Sequence, residues 1–202
     1  RHTVEIYDSG VTDEGEFFYV MELLDGIDLH DLVLDHGRQP LTRVLSILEQ
    51  AARSLAEAHD RGLVHRDVKP ANIYLCRMAD ELDVVKVLDF GMVRPLDAAA
   101  EPRLTIRGTV EGTPAFMAPE QAQDKRVIDG RADLYALACV AVYLLSGRDL
   151  FEAPTSMEVL IAHVTEPPPR PSTLGGNIPP ALDALLLDCL AKDPADRPAD
   201  MR

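Results

Sequence analysis

The sequence predicts an α+β fold, with a small β part in front and a mostly helical remainder. Three observations carry this. Short runs rich in Val, Ile, Phe and Tyr stand at residues 4–6, 17–24, 73–75 and 84–88, bounded by Gly, Asp or Asn. Residues 41–59 place apolar side chains at 44, 45, 48, 51, 52, 55 and 58, the spacing of one helical face. Residues 134–145 form a twelve-residue apolar run, too short to span a bilayer and suited to a buried helix.

Taken in order, residues 4–6 and 17–24 read as two strands of a hairpin that turns through residues 8–15, and Asp25-Gly26 ends the second strand. A short helix is predicted over 29–35, and the helix 41–59 stops at Gly62. Short β pieces follow at 63–64, 73–75 and 84–88. Residues 91–113 show no period and read as a long surface loop, a kind that is often functional in a compact domain. Helices are predicted over 133–146, from Thr155, over 180–191, and from Pro198 to the last residue, Arg202. Thr155 and Glu158 have the spacing of a capping box.

The chain has 202 residues, enough for one domain with a real core and short for two. Its formal charge is -14, the wrong sign for a protein that binds a phosphate backbone, so no nucleic-acid partner is expected. Apolar residues are 47% and charged residues 27%, a globular composition. Cys76, Cys139 and Cys189 lie far apart in no metal-binding pattern and read as buried thiols. No secretory signal pattern opens the chain. Lysine is rare: only Lys69, Lys86, Lys125 and Lys192, with none in the first 68 residues.

The strongest chemical signal is His65-Arg66-Asp67-Val68-Lys69-Pro70-Ala71-Asn72, followed by Asp89-Phe90-Gly91. Singly, Asp67, Asn72 and Asp89 could be turn formers. Together with Lys69 they supply a carboxylate base, a cation and two hard oxygen ligands, the parts that phosphoryl transfer needs. These motifs, with Ala118-Pro119-Glu120, Asp133-Leu134-Tyr135 and Arg197, resemble protein kinases over nearly the whole chain. The wording of residues 54–75 and 129–147 looks most like bacterial serine/threonine kinases of the eukaryotic type.

The resemblance implies a protein-kinase-like fold: residues 1–24 as a truncated small-lobe β-sheet and hinge, and residues 25–202 as a mostly helical large lobe. It implies ATP and Mg²⁺ as cofactors, and a protein substrate with a Ser or Thr acceptor. Asp67 would be the base and Lys69 would reach the γ-phosphate. Asn72 and Asp89 would hold the metal. Met21 falls at the gatekeeper position, and backbone groups of Glu22 and Leu24 would bond the adenine edge. Asp28 would meet the ribose, and Tyr74 would lie under the base. Arg66 would pair with a phosphate on Thr105 or Thr109, ordering the loop, and Thr113 would position the substrate. Asp133 would hold the loop that carries Asp67, and Arg197 would pair with Glu120. Ala138 stands where the family usually has Gly, and Phe116 where it often has Tyr.

The family's glycine-rich loop, strand lysine and helix glutamate are not found before Asp67. The chain therefore reads as a segment of a longer kinase or as a pseudokinase scaffold that lost the front of its small lobe. The intact Asp67, Lys69, Asn72 and Asp89 favour the first. An antibiotic-kinase-like small-molecule phosphotransferase fits less well, because such proteins generally lack the Ala-Pro-Glu segment. On this reading the chain binds MgATP weakly, transfers phosphate slowly, and exposes an apolar β edge. A cytoplasmic location is expected, alone or as the cytoplasmic part of a membrane-anchored protein, with no membrane segment within this chain.

Overall fold

The computed structural model describes residues 2–12, 14–78, 80–89, 113–123, 128–175 and 178–202. Strand β1 (Ile6–Val11) pairs antiparallel with β2 (Phe17–Met21), from Ile6 opposite Met21 to Val11 opposite Phe17. β1 thus extends through four residues of the predicted turn, and the chain reverses within residues 12–16. The Thr12 N–H donates to Glu16 O at 2.8 Å to close that reversal. Both faces of the hairpin are open: Tyr7, Val11 and Phe17 are all more than 60% exposed. An apolar surface of this kind favours association.

A second sheet runs in the order β3 (Gly26–Asp28), β4 (Ile73–Met78) and β5 (Glu81–Val87), all antiparallel. β3 was not expected, since Asp25-Gly26 read as a stop. Gly26 instead permits the pairing. A Cβ there would lie 2.2 Å from Leu75 O, so only glycine lets β3 approach β4. Residues 63–64 form no strand. The two sheets join through residues 2–4. The Val87 N–H donates to His2 O at 2.8 Å, and the Val4 N–H to Val87 O at 3.1 Å.

Helix α1 (Leu29–His36) leads to α2 (Leu41–Asp60). The buried stripe of α2 is Val44, Ile47, Ala51, Leu55 and Ala58, whereas Leu45 is exposed. The predicted face was therefore rotated slightly, with Ile47 the residue missed. Helix α3 (Pro119–Ala122) is a single turn. Helix α4 (Gly130–Ser146) is buried all round from Ala132 to Leu145, as its uniform hydrophobicity demands. Gly147, at φ 75, ends it. Helix α5 (Ser156–Thr165) opens on the predicted capping box, with Thr155 Oγ1 accepting from the Glu158 N–H at 3.2 Å. Helix α6 (Pro180–Cys189) completes the set. The expected helix from Pro198 does not form; a 3-10 turn at Pro194–Asp196 precedes irregular chain. Cys76, Cys139 and Cys189 are free and buried. Among the described residues no helix is long and apolar enough to cross a membrane.

Two polar clusters sit inside the helical part. Arg197 forms a bidentate pair with Glu120, at 2.7 and 2.8 Å, and also donates to the carbonyls of Arg131 and Ala191. Both side chains are almost fully buried. Nearby, His163 on α5 shares a 2.8 Å hydrogen bond between its Nδ1 and the Tyr135 hydroxyl, and its ring meets the edge of Phe151. Lys192 donates to His163 O at 2.7 Å. Burial first, and the Lys192 charge second, push the His163 pKa down to about 4.

Two predictions follow from these clusters. Arg197→Met leaves a buried carboxylate unpaired and should lower the unfolding free energy by about 3–5 kcal/mol. Urea denaturation reads this, and a loss under about 1 kcal/mol would contradict it. His163 is neutral when folded and titrates near 6.5 when unfolded. Its contribution to stability is therefore whole above pH 6.5 and is lost as pH falls through about 4. Going from pH 7.5 to pH 5, His163→Gln should lose about 2 kcal/mol less than the parent chain. Equal losses in the two proteins would sink the account of this histidine.

Candidate active site

The site begins at the end of α2. His59, in its last turn, donates from Nε2 to Asp133 Oδ2 at 2.8 Å. Gly130 allows this approach, since a Cβ there would fall 2.6 Å from the His59 ring. Asp133, in the first turn of α4 and 1% exposed, also accepts the His65 N–H on Oδ2 and the Arg66 N–H on Oδ1, each at 2.8 Å. A carboxylate buried this deeply is tolerable only because donors surround it. Arg66 is held at φ 67, a costly backbone region for a non-glycine residue.

The loop is fastened at other points. His65 Nε2 donates to Leu88 O at 2.7 Å, and its Nδ1 accepts the Asp67 N–H at 3.2 Å, so the partners assign its tautomer. Gln121 donates from Nε2 to Arg66 O at 2.8 Å and accepts the Ala118 N–H. Gln121 was missed in the sequence, although it directly follows Ala118-Pro119-Glu120.

Asp67, Lys69 and Asn72 converge. Lys69 Nζ lies 2.7 Å from Asp67 Oδ2, and Asn72 Nδ2 donates to the same oxygen at 3.0 Å and to Asp67 O at 2.8 Å. Asp67 Oδ1 has no hydrogen-bond partner among the described residues. The Leu88 N–H donates to Asn72 O at 2.9 Å, which brings Asp89 beside the same turn. Asp89 stands at φ 56, and its Oδ1 accepts from the Tyr19 hydroxyl at 3.3 Å.

The remaining expected residues lie on β2, in the stretch after it, at the N-cap of α1, on β4 and at the turn Pro114–Phe116. Met21 ends β2. The Glu22 N–H is used by Glu5 O, so the Glu22 group left for a ligand is its carbonyl. The Glu22 carboxylate pairs with Lys86 at 2.5 Å. Burial acts to raise the Glu22 pKa, but the Lys86 and Glu5 hydrogen bonds outweigh it and hold the value below normal. Leu24 lies in the extended stretch after it. Asp28 caps α1, with Oδ1 accepting from the His30 and Asp31 N–H groups. Tyr74 is opposite Asp28 in the sheet. Thr113 is exposed at the start of the turn Pro114–Phe116, and its hydroxyl bonds to nothing among the described residues. Arg66 Nε is buried without a hydrogen-bond partner among the described residues. Phe90, Gly91, Thr105 and Thr109 lie outside the described residues. A cavity of about 620 Å³ is lined by Glu22, Leu24, Cys76 and Lys86 but by none of Asp67, Asn72 or Asp89.

Among the described residues no three His, Cys, Asp or Glu side chains cluster as a metal cage. Asn72 and Asp89 offer two hard oxygens, since the Asn72 amide nitrogen is taken by Asp67. That donor set suits a cation that keeps water and phosphate oxygens in its shell, as Mg²⁺ does, and not a closed protein cage.

A base held on a buried aspartate, beside a lysine and two oxygen donors, is the arrangement of a phosphotransferase. Residues 1–201 match the family described as the protein kinase domain, and the chain belongs to that family. Its members use ATP with a divalent metal.

Among characterised proteins, the chain is 38% identical over 201 residues to the serine/threonine-protein kinase pkn3 of Myxococcus xanthus, covering 98% of this chain and 37% of that protein. It is 42% identical over 203 residues to Pkn1 of the same organism, covering 100% of this chain and 28% of that one. The crystal structure of the Mycobacterium tuberculosis PknI kinase domain superposes with a TM-score of 0.70 at 32% identity, covering 100% of this chain and 68% of that one. The chain thus spans well under half the length of these two Myxococcus relatives.

Proposed function

We propose that the chain is the large-lobe part of an ATP-dependent protein serine/threonine kinase that transfers the γ-phosphate of MgATP to a Ser or Thr hydroxyl. The observation that carries this is the single cluster of Asp67, Lys69 and Asn72, tied through Leu88 to Asp89.

Asp67 Oδ1, the oxygen without a partner among the described residues, accepts the substrate hydroxyl proton as the hydroxyl oxygen attacks in line. Lys69 and Asn72 hold the other oxygen and so fix the carboxylate plane. When nucleotide is bound, Lys69 turns to the γ-phosphate. Asn72 Oδ1 and Asp89 would hold Mg²⁺, which would supply charge neutralisation at the phosphate oxygens. The Glu22 carbonyl and the Leu24 N–H take the adenine edge, with Met21 behind it and Tyr74 below. Asp28 meets the ribose through Oδ2, since Oδ1 is used for capping. The Arg66 guanidinium pairs with a phosphate on Thr105 or Thr109, and Thr113 shapes the acceptor site. Residues 1–24 act as the remnant of a small lobe and residues 25–202 as the large lobe. The protein works in the cytoplasm, alone or as the cytoplasmic part of a longer membrane-anchored chain.

Phosphate positioning from above is absent in this chain, so slow transfer is expected. With radiolabelled MgATP and a generic Ser/Thr acceptor protein, the chain should label the acceptor slowly. Asp67→Asn should cut that rate by about 100-fold or more without weakening nucleotide binding. EDTA should abolish it. Binding of millimolar ATP without any transfer would favour a scaffold instead, and equal rates in the two proteins would overturn the role of Asp67.

A further inference from the structure

Asp89 is the least restrained of the candidate ligands. Its backbone is in the left-handed region, at φ 56. The Tyr19 hydroxyl, 70 residues away in sequence, is the single hydrogen-bond partner of its carboxylate among the described residues. Side chains two apart on a strand project to the same face. Tyr19 therefore shares its side of β2 with Met21, and its hydroxyl reaches Asp89 from there.

We propose that Tyr19 is a positioning residue of the metal site: its hydroxyl pins Asp89 Oδ1 and leaves Oδ2 to the cation. This rests on the reading of Asn72 and Asp89 as metal ligands. A small hard cation demands near-octahedral geometry and takes a carboxylate best through one oriented oxygen. Hydrogen bonds to the ligand from outside the coordination shell supply that orientation, and their loss commonly weakens metal binding 10–100-fold. A phenol, with its ordinary pKa of about 10, is a donor at neutral pH. Phe17 and Phe18 precede Tyr19, so the ring by itself is unremarkable in this strand; the hydroxyl is what distinguishes the position.

The test is Mn²⁺ titration of the 202-residue chain, with the free ion counted by electron paramagnetic resonance. Tyr19→Phe keeps a ring that is 42% exposed, and it should leave the urea midpoint unchanged. It should bind Mn²⁺ about 10–100-fold more weakly than the parent. Equal or tighter binding overturns the proposal, tighter binding meaning that the hydroxyl competes with the cation. Asp89→Asn separates the two levels. If it binds Mn²⁺ as the parent does, Asp89 is no ligand and both readings fail. If it loses binding while Tyr19→Phe does not, only the role of Tyr19 fails. In the parent chain, the Tyr19 ring resonances should broaden at the first Mn²⁺ additions, before those of the buried Tyr135. Simultaneous broadening of both would also overturn the proposal.

Discussion

One buried carboxylate organises this molecule. Asp133 sits in the first turn of α4, the helix with the most complete burial, and takes three hydrogen bonds of 2.8 Å. Two come from consecutive backbone N–H groups in the loop ahead of Asp67, and the third comes from His59 on α2. Burying an ionised carboxylate costs several kcal/mol unless donors replace its water. Two of the three donors are those of the loop that leads to Asp67. The loop must therefore take one conformation, including the positive φ of Arg66, for the core to be satisfied. Strain at the site is held in place by the hydrophobic centre.

A second restraint acts from the other side. Gln121 ties Arg66 O to the turn of Glu120, and Glu120 is anchored by Arg197 in a pair with almost no solvent contact. The Arg66 peptide is thus fixed on its N–H side through Asp133 and on its carbonyl side through Gln121. Asp67 follows it directly, so its position is inherited from two independent parts of the helical domain. The hairpin β1–β2 is different in kind. It buries little and is joined to the rest by residues 2–4, by the Glu22–Lys86 pair and by the Tyr19–Asp89 hydrogen bond.

Much of this was legible in the sequence where local chemistry decides the outcome. The α2 periodicity, the Thr155 capping box and the uniform hydrophobicity of residues 134–145 each specify an element through nearest neighbours. The spacing of Asp67, Lys69, Asn72 and Asp89 was legible because the chemistry needs those groups together. What escaped depends on contacts distant in sequence. Three residues of β3 carry no period, and their pairing rests on the closeness that Gly26 permits. The Tyr19–Asp89 and Gln121–Arg66 contacts cross 70 and 55 residues and leave no local pattern. Pro198 carries a helix-start signal, but residues 198–202 are irregular.

The central claim is that Asp133 tethers the loop from the core. Amide hydrogen exchange on Asp133→Asn tests it most directly, because the variant keeps the side-chain volume and one carbonyl oxygen while losing one acceptor. The account predicts that protection of the His65 and Arg66 amides falls while that of the α4 amides from Leu137 to Leu144 is kept. Unchanged protection at both loop amides, or an equal fall along α4, would contradict it.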